Sequence, residues 1–99
     1  MRILMKVSIP VDAGNRAISD GSLPKTIVGF VEQMKPEATY FVAEGGRRTG
    51  YFVFDLKDPA SIPAAAEPFF SRLGADVTMM PAMNLEDMKT GVGRVMSKQ

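Results

Sequence analysis

The chain contains no cysteine, no histidine and no tryptophan. Without cysteine there is no disulfide and no thiolate nucleophile. Without histidine there is no Cys/His zinc site, no imidazole base and no Ser-His-Asp relay. Acid–base work falls to Asp, Glu, Lys, Tyr or water. A charge excess is missing too: 12 Lys and Arg stand against 11 Asp and Glu, for a net charge of +1. There is neither a broad basic field for nucleic acid nor an acidic tail. Apolar runs are short and broken by charges, so no membrane span is expected. Arg2 and Lys6 interrupt the N-terminal alternation, which does not read as a signal peptide. The default expectation is a cytoplasmic chain with no metal and no cofactor.

What is present is an ordinary globular composition, 45% hydrophobic and 23% charged, over 99 residues. That length predicts one domain, residues 1–99, large enough for a core yet marginal enough to gain from a partner. Eight methionines point to adaptable packing surfaces.

Alternation predicts a first strand over Arg2 to Ile9, ended by Pro10. Asp12 to Asp20 suits a short helix. Gly21 and Ser22 then punctuate, with Ser22 a candidate N-cap and Pro24 in the first turn of the next helix. One long helix kinked at Pro24 is the competing reading. Ile27, Phe30, Val31 and Met34 form a stripe at helical spacing, and Lys35-Pro36 closes it. Ala38 to Glu44 and Arg47 to Leu56 read as a hairpin around Gly45-Gly46. Its register opposes Glu44 to Arg47, Val42 to Thr49 and Tyr40 to Tyr51 on one face. On the other face it opposes Ala43 to Arg48, Phe41 to Gly50 and Thr39 to Phe52. A helix starting at Asp58-Pro59 or Ser61 carries the stripe Ile62, Ala65, Ala66, Phe69 and Leu73, with Pro68 inside it and Gly74 as its cap. Asp76 to Met83 is a fourth strand, with Pro81 suited to an edge. Asn84 caps a last short helix from Leu85, weakened by Gly91 and Gly93. The order β-α-β-β-α-β, with right-handed crossovers, predicts an α+β, ferredoxin-like fold: two long helices on one face of a four-stranded antiparallel sheet.

Strand parity sends Ile3, Met5, Val7, Ile9, Phe41, Phe52, Phe54, Leu56, Val77 and Met79 to the helix face. The opposite face takes Lys6, Ser8, Glu44, Arg47, Thr49, Asp55 and Thr78, and also Leu4, Tyr40, Val42, Tyr51, Val53, Met80 and Ala82. A solvated sheet face is mostly polar. Seven apolar or aromatic side chains together expose several hundred Å², near the largest patch a monomer tolerates. Burying about 500 Å² per chain contributes roughly 12 kcal/mol before association costs. The expectation is a homodimer with Leu4, Tyr40, Val42, Tyr51, Val53 and Met80 at its interface.

With this element order, this open face and the hairpin Glu44-Gly45-Gly46-Arg47-Arg48-Thr49-Gly50-Tyr51-Phe52-Val53-Phe54-Asp55, the chain resembles the dimeric α+β barrel superfamily. Within it the chain is similar to a small group of uncharacterised bacterial proteins, most of all over Lys35 to Phe70. The resemblance implies two sheets packed face to face and a ligand cavity by the helices or the dimer seam. It includes monooxygenases, isomerases and histidine-dependent members. Haem ligation through histidine and His-Asp chemistry do not carry over to a chain without histidine.

Five candidate sites compete with plainer readings. Lys6, Tyr40, Glu44, Arg47, Tyr51 and Asp55 all project from the open face and can rim a pocket for a small polar or aromatic ligand. Glu44 can serve as a base there if desolvation raises its pKa. The plainer reading pairs Glu44 with Arg47 and Tyr40 with Tyr51 across the strands. Asn15, Arg16, Asp20 and Lys25 sit where a lid would, or on a kinked surface helix. Gly21 to Thr26 ends like a phosphate-binding loop but has Pro24 and Ser19 where glycines are needed. Arg48 to Phe54 has the look of an RNA-stacking strand, yet only Tyr51 points outward, and nucleic acid is not expected. Met79, Met80 and Met83 fill a core or seam, or line an apolar site. The leading expectation is a homodimer that holds a small ligand; a cofactor-free isomerase or monooxygenase-like enzyme using Glu44, Tyr40, Tyr51 and Arg47 is second, and RNA binding a remote third.

Overall fold

The structure is a computed structural model that describes residues 1–98. Its elements run β1 (Arg2–Ile9), α1 (Val11–Ser19), α2 (Ser22–Met34), β2 (Ala38–Glu44), β3 (Arg47–Asp55), a 3-10 turn (Pro59–Ser61), α3 (Ile62–Leu73), β4 (Asp76–Pro81) and α4 (Leu85–Ser97). All pairings are antiparallel and the sheet order is β2-β3-β1-β4. The α+β, ferredoxin-like fold expected from the alternation is present.

The hairpin has the expected register, from Glu44 opposite Arg47 to Thr39 opposite Phe52. Gly45 and Gly46 both hold positive φ, 61° and 76°, which glycine adopts without a Cβ clash. Ile3, Met5, Val7 and Ile9 are buried on the helix face, as are Phe52, Phe54 and Leu56. Phe30 of α2 drops into the centre of this layer. Its ring lies 4.8 Å from Phe52, 5.5 Å from Phe54 and 5.3 Å from Phe69 of α3, in edge and tilted geometries that favour aromatic pairs.

Several local expectations change. The first helical region is two helices as expected, broken at Gly21 (φ 78°), and the competing single helix kinked at Pro24 is not formed. Gly21, not Ser22, is the N-cap of α2; Asp20 Oδ1 accepts the Ser22 N–H at 2.8 Å across the break. Pro24 lies in the first turn, where its missing N–H has no helical partner to lose. The 3-10 turn leads into α3, and Gly74 (φ 56°) closes α3 as expected. Ile62, expected in the core stripe of α3, is 42% exposed: it stands at the first position of the helix and borders an open hollow with Ile3, Leu56 and Met79. β4 is an edge strand that ends at Pro81, two residues earlier than the alternation suggested.

Two corrections bear on function. Phe41 has helix-face parity but is 57% exposed, because the helices cover β1 and β3 and leave β2 overhanging. The last helix is not short. It runs 13 residues through Gly91 and Gly93, opened by a capping box in which Asn84 and Asp87 bond each other's backbone N–H. No residue of α4 is buried. The chain measures 57 × 28 × 18 Å with a radius of gyration of 15.9 Å, against about 13 Å for a compact chain of this length. α4 is an arm that leaves the body.

Truncating Phe30 to alanine is expected to cost about 3–5 kcal/mol, since it empties the hub of the aromatic cluster. Thr26 is 2% exposed and its Oγ1 has no hydrogen-bond partner among the described residues. Thr26→Val should therefore raise stability by about 1 kcal/mol. Urea titrations of both variants check the two signs; a Thr26→Val chain less stable than the parent would show that the hydroxyl is satisfied.

Candidate functional site

The six polar residues expected on the open face are on that face, but they do not form one cluster. β1 lies between β3 and β4, so Lys6 stands directly beside Tyr51. Its ammonium reaches Glu44 Oε2 at 2.5 Å, and the Tyr51 hydroxyl donates to Glu44 Oε1. Glu44 is thereby taken by Lys6 and Tyr51, not by Arg47 directly opposite. Arg47 turns instead to Asp76 at 3.0 Å and to the carbonyl of Ile9. Asp55 is at the far end of the sheet, bonded to the N-terminal ammonium at 2.7 Å. Tyr40 is among the more exposed side chains of the face.

The electrostatics of this set are those of a satisfied network. Lys6 and Tyr51 hold the Glu44 carboxyl below the usual carboxylate range through their hydrogen bonds, which outweigh desolvation. The same contact with Glu44 raises Lys6 and raises the Tyr51 phenol. A base role for Glu44 needs the opposite shift, and the geometry withholds it. Asp55 is lowered by its hydrogen bond to the N-terminal ammonium.

The apolar side chains of this face lie side by side in the register. Tyr40, Val42 and Met80 are exposed, and Leu4, Tyr51 and Val53 are half-buried among one another. Among the described residues no helix buries them. The register places Ala38, Val53, Leu4 and Met80 in one row across all four strands, with Tyr40, Tyr51, Lys6 and Thr78 in the next.

A second feature, an apolar cavity, lies on the other side of the sheet. It is a groove of about 550 Å³ between α2 and the overhanging β2, lined by Leu23, Pro24, Ile27 and Val28 above and Phe41, Ala43, Gly50 and Phe52 below. Its volume and apolar lining match those of small-molecule sites. Gly50 sits across from Phe41, and a Cβ there would come within 3.0 Å of the Phe52 ring and 3.4 Å of the Phe41 ring. Glycine at this position lets both rings lie against the sheet as the floor of the groove.

One charge lines this groove. Arg48 has helix-face parity, and its guanidinium donates to Asn15 Oδ1 at 3.0 Å and, at 3.5 Å, to the carbonyl of Val11 on α1. Gly14 gives it room: a Cβ there would stand 2.5 Å from Arg48 Nη1. Both acceptors are neutral, and no carboxylate pairs with Arg48 among the described residues. Of the lid candidates, Asn15 meets Arg48 and Asp20 caps the helix break, while Arg16 and Lys25 take part in no ion pair among the described residues. Arg48 was the residue missed. Its signal was in the register: a charge on β3 at the parity that otherwise carries Gly50, Phe52 and Phe54. Met79 packs against the core and Met80 lies on the open face, so the methionines form no common site.

Among the described residues no group of His, Cys, Asp and Glu could hold a metal ion, and no helix is long and apolar enough to cross a membrane. No family model and no curated protein matches the chain.

The Glu44 network sets an expected acid response. A carboxyl whose folded pKa is depressed stabilises the fold above its unfolded value and loses that contribution as pH falls through the folded one. The Lys6–Glu44–Tyr51 contribution is thus intact above about pH 4.3 and fades below it. Glu44→Gln should flatten the melting temperature against pH in this acid range and leave it unchanged in shape above pH 6. An unaltered acid limb in Glu44→Gln would show that the network contributes nothing to folding.

Proposed function

We propose that the chain is a homodimeric α+β barrel protein that binds a small, mainly apolar ligand bearing an anionic end. The open sheet face meets a second copy, and the groove beneath β2 takes the ligand. The observation that carries this reading is the apolar groove with Arg48 at its side, a guanidinium fixed by two neutral oxygens and by Gly14. A cation held in place without a counter-charge is a ready partner for a carboxylate or similar group. Phe41, Ile27 and Val28 supply the apolar contact. The superfamily resemblance supports the dimer, as does the apolar patch of Tyr40, Val42 and Met80. The polar set on the open face is left as a hydrogen-bonded rim of the dimer contact.

Two measurements test this. In thermal melts, straight-chain and aromatic carboxylates such as octanoate and phenylacetate should stabilise the chain, by about 2.7 kcal/mol at a hundredfold excess over Kd. The matching alcohols should bind more weakly, and Arg48→Met should erase the difference between acid and alcohol. Equal shifts in Arg48→Met and parent would remove Arg48 from the site; no shift with any compound would remove the site. In sedimentation equilibrium the parent should be a dimer at micromolar concentration, and Tyr40→Lys with Val42→Lys should be a folded monomer. A parent that stays monomeric at 100 μM would overturn the two-chain reading.

A further inference from the structure

We propose that the α4 helices of two copies of this chain pair antiparallel, along a seam made by Leu85, Met88, Val92 and Val95. The proposal rests on the two-chain reading above and names a second contact within it.

The four side chains recur at intervals of three, four and three residues, which is the a and d spacing of a coiled-coil heptad. They are 61%, 42%, 50% and 60% exposed, so no described part of their own chain seals them from solvent. From Leu85 to Val95 the stripe is narrow, and Met96 widens it only at the C-terminal end of the helix. A helix lying on a sheet or a core needs a face at least 100° wide, whereas an a/d seam two residues wide is the contact of a helix with another helix. A helix of 13 residues with two internal glycines is too short to be stable by itself. It needs a partner, and its root allows none within the chain: the capping box and the Arg2–Asp87 contact at 3.3 Å fix it beyond the sheet end, from which it runs away from the body.

Direction follows from charge and from the glycines. Glu86 and Asp87 occupy the first turn, Arg94 the last, and Lys98 follows. Antiparallel alignment sets the acidic turn of one helix near the basic turn of the other and opposes the two helix dipoles. The layers are then Leu85 with Val95 of the second copy and Met88 with its Val92, so the crossing lies at about residue 90. Gly91 stands next to that crossing. A Cβ at Gly91 or Gly93 would meet nothing within 4 Å, so neither glycine serves its own chain, and each costs the helix about 1 kcal/mol against alanine. Close approach of two helix backbones gives Gly91 a use. The pairing maps each chain onto the other by a two-fold axis, as a closed dimer requires. It also supplies area. The open sheet face offers several hundred Å², short of the ~800 Å² per partner of a standard interface, and the arm adds to it.

The absence of cysteine makes the test clean. In the full chain carrying Leu85→Cys and Val95→Cys, the two positions are ten residues apart on one helix, about 15 Å. That is too far for an internal bridge, which needs Cα atoms within ~7 Å. Mild oxidation is expected to give a covalent dimer, and trypsin, cutting at Lys89, should release the position-85 peptide joined to the position-95 peptide. Each peptide joined to its own kind would show a parallel pair and overturn the proposal. So would the lack of any covalent dimer at concentrations where the protein sediments as a dimer. Val92→Asp alone should weaken association at least tenfold with the melting of the body unchanged; an unaltered association constant would also overturn it. The open-face variant Tyr40→Lys with Val42→Lys separates the two contacts: a dimer that persists in it, still linked 85 to 95, rejects the sheet contact and keeps the arm pairing.

Discussion

The two-residue turn at Gly45 and Gly46 determines which way every side chain of the hairpin points, and through the hairpin it orders the rest of the sheet. Strand side chains alternate with a period of two, so a slip of one residue would send Phe52 and Phe54 outward and Tyr51 and Val53 inward. The positive φ of both glycines closes the turn without an extra residue and removes that freedom. β3 then presents a phenylalanine pair to Phe30 on one side and Tyr51 and Val53 to the open side. β1 aligns against β3, and β4 against β1. The core, the apolar open face and the groove are three consequences of that single register.

Much of this was readable in the residues because it depends on neighbours in the chain. The strands, the turn, Gly74 as a cap and Pro81 at an edge all follow from local chemistry. Parity also sorted the two faces correctly. What parity does not contain is width. Phe41 points to the helix side, but two helices span only the middle of a four-stranded sheet, so β2 is left uncovered and Phe41 becomes the floor of a groove. The same gap explains Arg48, a charge that is tolerable on the helix side because that end of β3 lies beneath the N-terminal turn of α1 and not beneath the core.

Long polar side chains were the second limit. Glu44 and Arg47 face each other across the turn, and the short-range rule pairs them. The structure gives Glu44 to Lys6, two strands away, because β1 was placed next to β3 by the crossover and not by any local signal. Lys6 and Tyr51 offer Glu44 two donors where Arg47 alone would compete, and Arg47 finds Asp76 on the same side of the sheet. The outcome divides the molecule by polarity. The open side spends its charges on one another, while the groove side keeps one guanidinium without a counter-charge.

The methionines carry a further consequence of this layout. Met5 is sealed in the core at 0% exposure, whereas Met80, Met83, Met88 and Met96 lie open on the sheet face, the β4–α4 connection and the arm. Oxidants reach a thioether according to its accessibility, and the resulting sulfoxide is polar and bulkier. On a chain taken alone, peroxide damage would therefore fall on the surfaces that a second copy is proposed to cover, and spare the interior. Such a chain would lose its neighbours before it lost its shape, and reductive repair would restore contact without a need to refold.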